Sequence, residues 1–137
     1  MDEPKLSKHA AAARGWIEKK PGALAVPLSA RKGSPPHAVM YKVAGKIFAI
    51  LSLRGSEFVI LKCDPHLATM LREQYSGVGH RSHLDRRFWI SVTLDADVPG
   101  NEIRRLISQS YDLVWATLTA KQKAELGHPA RARPRAK

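Results

Sequence analysis

The residues that invite a chemical reading cluster between Gly79 and Asp95, in the stretch GHRSHLDRRFWISVTLD. His80 and His83 offer two imidazole nitrogens, and Asp85 adds a carboxylate two positions on. Three such ligands can form a zinc site with an open position. Arg81, Arg86 and Arg87 stand in the same stretch, and cations that close oppose a divalent ion. No cysteine pair and no HExxH spacing supports a metal, so hydrogen-bonded loop histidines are the simpler reading and no cofactor is expected. The same arginines suit phosphate, which a guanidinium binds in bidentate fashion.

Cys63 is the one cysteine of the chain. It precedes the helix signal Asp64-Pro65, and a helix N-terminus can stabilise a thiolate. It also ends the apolar run FVILK, where a free cysteine behaves as a small buried hydrophobe. A lone cysteine excludes an internal disulfide and a cysteine-rich zinc site. AGKI lacks the upstream glycine of a phosphate loop, and no nucleophile elbow or paired-carboxylate motif is present. These residues do not point to an enzyme.

The remaining cations are dispersed. Lys42 and Lys46 flank a turn at Ala44-Gly45, and Arg54 sits in the next turn. Arg131, Arg133, Arg135 and Lys137 stand in the final eleven residues. The net charge of +11 is uneven: residues 47–120 balance to zero, and the excess lies at both ends. A cationic surface binds polyanions through counterion release, whatever the fold. DNA or another polyanion is therefore an expected partner, contacted by Lys42, Lys46, Arg54, Arg81, Arg86, Arg87, Arg131, Arg133 and Arg135. The plainer alternative is solvation, with Arg86 or Arg87 paired to Asp85, Asp95 or Asp97 at a surface where such pairs contribute little. An exposed Trp89 or Trp115 would be a further contact residue.

The elements that must position these residues are legible in outline. The 137-residue length suits one domain. Leu6, Ala10, Ala13 and Ile17 recur at helical spacing and predict a helix over 6–19, stopped by Pro21-Gly22. Residues 23–28 form a strand or an irregular segment, and Pro27 restricts any strand there to a sheet edge. Residues 33–36 are loop. Strands follow at 38–43, 46–53 and 57–63, joined by tight turns and hence antiparallel. The middle one is almost wholly apolar, as befits a central strand. Asp64 and Pro65 start a helix buried through Leu67, Leu71 and Tyr75, and Gly77–Gly79 end it. A strand is expected over 88–94, where Phe88 and Trp89 face opposite sides. The longest helix, 101–118, turns Ile103, Leu106, Ile107, Ser110, Leu113, Val114 and Leu118 inward. A short helix over 119–126 and a basic, disordered tail over 127–137 complete the chain. The order α, three or four strands, α, one or two strands, α predicts an α+β two-layer sandwich, with an antiparallel sheet and helices on one face.

The longest apolar run, IFAIL, is too short to span a bilayer, and the N-terminus lacks a signal-peptide core. A cytoplasmic protein with no membrane partner is expected.

Four segments resemble the MmcQ/YjbR family of small bacterial proteins: YKVAGKIFAILSL, LKCDPHLATMLREQY, HLDRRFWISVTLD and VPGNEIRRLISQSYDLVWATL. Together they run from Tyr41 to Leu118. The resemblance implies a two-layer α+β fold similar to CyaY-like and secretion-chaperone-like folds. It also implies DNA binding through a double-wing surface. The family's stretch His-Leu-Asn-Lys-x-His-Trp appears here with Asp85 in place of the Asn, Arg86 in place of the Lys and Phe88 in place of the second His. The family's Phe-Gly segment before the first hairpin is here RKGSPPHAV. A second reading is a protein-interaction or chaperone-like module acting through a sheet edge near residues 23–37, or dimerising through the long helix.

Overall fold

A computed structural model describes residues 6–126. Helix α1 (Lys8–Glu18) starts where the Ser7 hydroxyl accepts the Ala10 N–H at 3.1 Å. Its Ala10, Ala13 and Ile17 are fully buried, as their spacing predicts. Strands β1 (Leu24–Ser29), β2 (Pro36–Val43), β3 (Lys46–Ser52) and β4 (Phe58–Lys62) follow. Helix α2 (Pro65–Gln74) begins at Asp64, whose carboxylate accepts from the N–H groups of His66 and Leu67 at 3.0 and 3.1 Å. That satisfies two of the N–H groups every helix start leaves unpaired. Then come β5 (Val78–Gly79), β6 (Trp89–Thr93), α3 (Gly100–Trp115) and α4 (Ala120–Glu125).

The six strands form one antiparallel sheet in the order β1-β2-β3-β4-β6-β5. This is the expected α+β architecture, with β3 central and β1 at an edge. Several boundaries differ from the sequence reading. Of the two readings of 23–28 the strand holds, as β1 over Leu24–Ser29, and β2 starts at Pro36, inside the expected loop. Val78-Gly79, read as the end of a helix, pairs with β6 instead. Phe88 lies just outside β6, although its carbonyl accepts from the Cys63 N–H at 2.7 Å. In α3, Tyr111 takes the buried position and Leu113 is 37% exposed.

The core lies between one face of the sheet and the helices. Val39, Tyr41, Val43, Leu51, Val59, Leu61, Ile90 and Val92 point into it from alternate strand positions. Phe48 is completely buried and meets Tyr111 edge-on, with ring centroids 5.2 Å apart. Truncating such a side chain typically costs about 3–5 kcal/mol. Phe48 is also the extra residue of a bulge: Tyr41 pairs with Ala49 and Lys42 with Ile47. Both Phe48 and Ala49 therefore enter the core, while Ile47 and Ile50 remain partly exposed.

The tight turn between β2 and β3 has Ala44 at φ +50° and Gly45 at φ +80°. Two successive positive φ values define the hairpin turn whose twist suits the flanking strands. Gly45 adopts that conformation without strain, and Ala44 does so against its Cβ. The hairpin tip thereby brings Lys42 and Lys46 to the same end of the sheet.

Candidate nucleic-acid interface

At that end, Lys42 of β2, Lys46 of β3 and Lys62 of β4 surround a recess with Trp89 of β6. The recess encloses about 410 Å³, and no acidic side chain lines it. Register explains the convergence. Lys42 stands opposite Ile47, one rung before the closing pair Val43–Lys46, and Lys62 stands opposite Trp89 at the end of the β4–β6 ladder, so these residues come from the last rungs at one end of the sheet. The Lys46 ammonium donates to the Thr117 hydroxyl at 3.0 Å, which ties the tip to the residues just past α3. Trp89 is half-buried, and Phe88 beside it is 37% exposed. Lys62, Trp89 and Phe88 also line an adjoining recess that reaches Cys63 and Leu113.

The loop entering β6 is built around its own polar groups. His80 Nε2 lies 2.7 Å from the Leu84 carbonyl oxygen, and the Ser82 hydroxyl accepts the Leu84 N–H at 3.2 Å. Arg87 gives three hydrogen bonds to Asp85: its backbone N–H at 2.9 Å, Nε at 3.2 Å and Nη2 at 2.8 Å. Those hydrogen bonds hold the Asp85 carboxyl down at about 2. Arg72 of α2 fastens the loop from behind, its Nη2 donating to the carbonyls of Arg86 at 2.8 Å and Trp89 at 2.9 Å. The Arg72 Nε is buried without a hydrogen-bond partner. That cost is accepted at the point where loop and helix must meet.

His80 and Asp85 are thus engaged elsewhere, and among the described residues no three His, Cys, Asp or Glu side chains group to hold an ion. Cys63 is 3% exposed. Burial pushes its thiol up to about 11, with the Asp64 charge adding to the effect, so it stays protonated near neutral pH.

The expected cationic residues divide. Lys42 and Lys46 converge, and Lys62 joins them although its sequence position gave no reason to select it. Arg86 is exposed on the loop beside Trp89, and Arg87 is paired with Asp85 and lies over the Phe88 ring at 5.2 Å. Arg54 and Arg81 sit at the opposite end of the sheet. Arg54 donates to the Pro36 carbonyl at 3.3 Å. Arg81 donates to the Ser56 hydroxyl at 3.0 Å and covers the Phe58 ring at 4.7 Å. Six strand steps, roughly 20 Å, separate the two ends. Trp115 is half-buried and stacks on Tyr111 at 5.9 Å. Arg131, Arg133, Arg135 and the rest of the tail lie outside the described residues. Among the described residues, no helix is long and apolar enough to cross a membrane.

Comparison with known proteins places this architecture. The chain is similar to the YbdF protein of Escherichia coli O157:H7, 34% identical over 80 residues, and to the YjbR protein of Escherichia coli K12, 36% identical over 75 residues. These matches cover 58% and 54% of this chain and 66% and 64% of the relatives, just under two thirds of their lengths. Its fold resembles the crystal structure of Deinococcus radiodurans DR2400, a protein with a DUF419 domain: the TM-score is 0.75 at 23% identity, over 93% of this chain and 91% of that one. A Pseudomonas syringae protein aligns with a TM-score of 0.61 at 21% identity, over 79% of this chain and 98% of that one. The YjbR family profile matches residues 19–113, well over half of the sequence, and the chain belongs to the YjbR family.

Proposed function

We propose that this protein binds nucleic acid with low sequence specificity at the recess where Lys42, Lys46 and Lys62 surround Trp89. That convergence carries the reading. Three ammonium groups without an acid among them attract phosphate, and such contacts position a backbone without reading its sequence. The indole of Trp89 and the exposed ring of Phe88 supply the apolar faces on which unpaired bases stack. Cations interleaved with aromatics favour a single strand over a duplex, whose bases are already stacked. The exposed guanidinium of Arg86 extends the cationic surface along the loop. No group in the recess offers the paired donor and acceptor geometry that distinguishes bases.

The test is fluorescence anisotropy with labelled single-stranded DNA across a salt series. Binding should weaken steeply as salt rises. Replacing Lys42, Lys46 and Lys62 together with alanine should lower the salt slope by about 2, at about 0.7 per phosphate contact on a single strand. Absence of binding at low salt, or an unchanged slope in the triple variant, removes the proposal.

A second reading, an interaction or chaperone-like module, is favoured by β1. Both faces of that edge strand are open: Leu24 and Val26 on one side are 66% and 38% exposed, and Ala25 and Pro27 on the other are exposed too. An added strand would meet Pro27, which has no N–H and sits in edge strands with its nitrogen toward solvent. Pairing is therefore confined to the strand on either side of it. Sedimentation equilibrium distinguishes this reading: a strict monomer that retains DNA binding counts against it.

A further inference from the structure

The sheet carries helices on one face, and its other face holds a second recess, which meets the lysine recess at Ile47. Met40, Ile50, Ile60 and Phe58 form the floor of a trough on adjacent strands, with Leu28 on one side and Leu84 on the other. It encloses about 410 Å³, within the range of small-molecule sites. From Ser52 to Ile47 along β3 the trough runs roughly 16 Å, at about 3.3 Å per strand residue.

Its polarity is one-sided. His37, Ser52, Arg81, Ser82 and His83 stand at the end near the β3–β4 turn, and no acidic side chain lines any part of it. Arg81 has no carboxylate partner among the described residues. Ser56 takes one of its five N–H donors. The Phe58 ring beneath it fixes the guanidinium over the trough's polar end. Arg81 is the one lysine or arginine in the lining, and an apolar channel that ends on it complements a molecule with an apolar tail and one anionic head.

We infer that the helix-free face of the sheet binds a free, single-chain amphiphilic carboxylate, its tail along Met40, Ile50 and Ile60 and its head on Arg81. The trough's length, roughly 16 Å by strand rise, is enough to hold an extended ten-carbon chain. Hydrophobic burial supplies affinity along the tail, and the charge-assisted bond to Arg81 sets the direction.

Calorimetric titrations with hexanoate, octanoate and decanoate, each below its micelle concentration, test this. Affinity should rise about fourfold per fully buried methylene. Decanol and decylammonium should bind at least about tenfold more weakly than decanoate, the loss of one charge-assisted hydrogen bond. Arg81→Gln should bring decanoate to the level of decanol and leave decanol unchanged. Met40→Glu, checked for unchanged circular dichroism, should abolish both. The alanine variant of Lys42, Lys46 and Lys62 should bind decanoate normally, which separates this site from the nucleic-acid reading. Equal affinity for the three ten-carbon probes, or no effect of Arg81→Gln, overturns the inference. Loss of decanoate binding in the lysine variant instead would reverse the orientation and overturn the assignment to Arg81.

Discussion

The Ser110 hydroxyl of α3 donates to the Phe48 carbonyl at 2.6 Å, and the same oxygen accepts the Lys62 N–H at 2.8 Å. It therefore joins β3 and β4 just past their last direct pair, Ala49–Leu61, and the helix supplies the next rung. Ser110 is completely buried, so water cannot substitute for it. Ser110→Ala should destabilise the protein by about 2–4 kcal/mol, since two buried backbone groups lose their partners. Urea unfolding measures this. A loss below about 0.5 kcal/mol, the range of ordinary surface changes, would show that the hydroxyl is dispensable.

Ala44 occupies a position suited to glycine or asparagine, at φ +50°. Replacement with asparagine gives the Asn-Gly pair that hairpin turns of this type prefer. Ala44→Asn should raise stability by about 0.5–1 kcal/mol, part of the cost of a left-handed alanine. Because the tip presents Lys42 and Lys46, DNA binding should be unchanged. A lowered melting temperature would contradict the turn assignment.

Cys63 should resist alkylation in the folded protein and react once it is unfolded. Its folded pKa is raised from about 9 to about 11. The folded state thus holds the proton more tightly, and stability is fully present below pH 9 and falls as pH climbs from 9 to 11. Tyr111, raised to about 12 by burial and the Asp112 charge, extends the decline above pH 10. Denaturant midpoints compared across this window with Cys63→Ala isolate the thiol: the variant should show a shallower decline between pH 9 and 10. Identical slopes would place the thiol in a more polar setting than its burial implies.

Asp85 neutralises Arg87 through two side-chain hydrogen bonds. Asp85→Asn retains the side-chain shape, removes the charge and releases the guanidinium. If the loop takes part in nucleic-acid binding, affinity should increase and the salt slope should steepen by about 0.7. The anisotropy assay decides this, and weaker binding would mean that Asp85 orders the loop more than it restrains it.

The sequence is most informative where polarity alternates. β2 shows Val39, Tyr41 and Val43 inward against Met40 and Lys42 outward, and its facing could be read directly. Helices α1 and α3 and the Asp64-Pro65 start were equally readable, because capping and periodicity are local. β3 was not. IFAIL is apolar throughout, so nothing in it says which residues face the core, and the Phe48 bulge leaves no mark. β5 escaped because two residues with a glycine carry no strand pattern. The family resemblance was legible in four segments and is met by the profile match. The cationic recess was half-legible: Lys42 and Lys46 flank one turn, but Lys62 reaches them only through β4–β6 pairing, which no local signal encodes. The Asp85–Arg87 pair was foreseen as one of several alternatives, and the hold of Arg72 on the loop was not foreseen.

The bulge at Phe48 has a consequence for how this hairpin can vary. It divides β3 into an inner length registered against Tyr41 and Val39 and an outer length registered against Lys42 and Val43. Because the two lengths already differ by one residue, the tip can gain or lose a position by moving the irregularity, with the packed half left in place. One-residue insertions or deletions within residues 42–47 should therefore cost little stability, and a large drop in melting temperature in such variants would show that the register is fixed at Phe48.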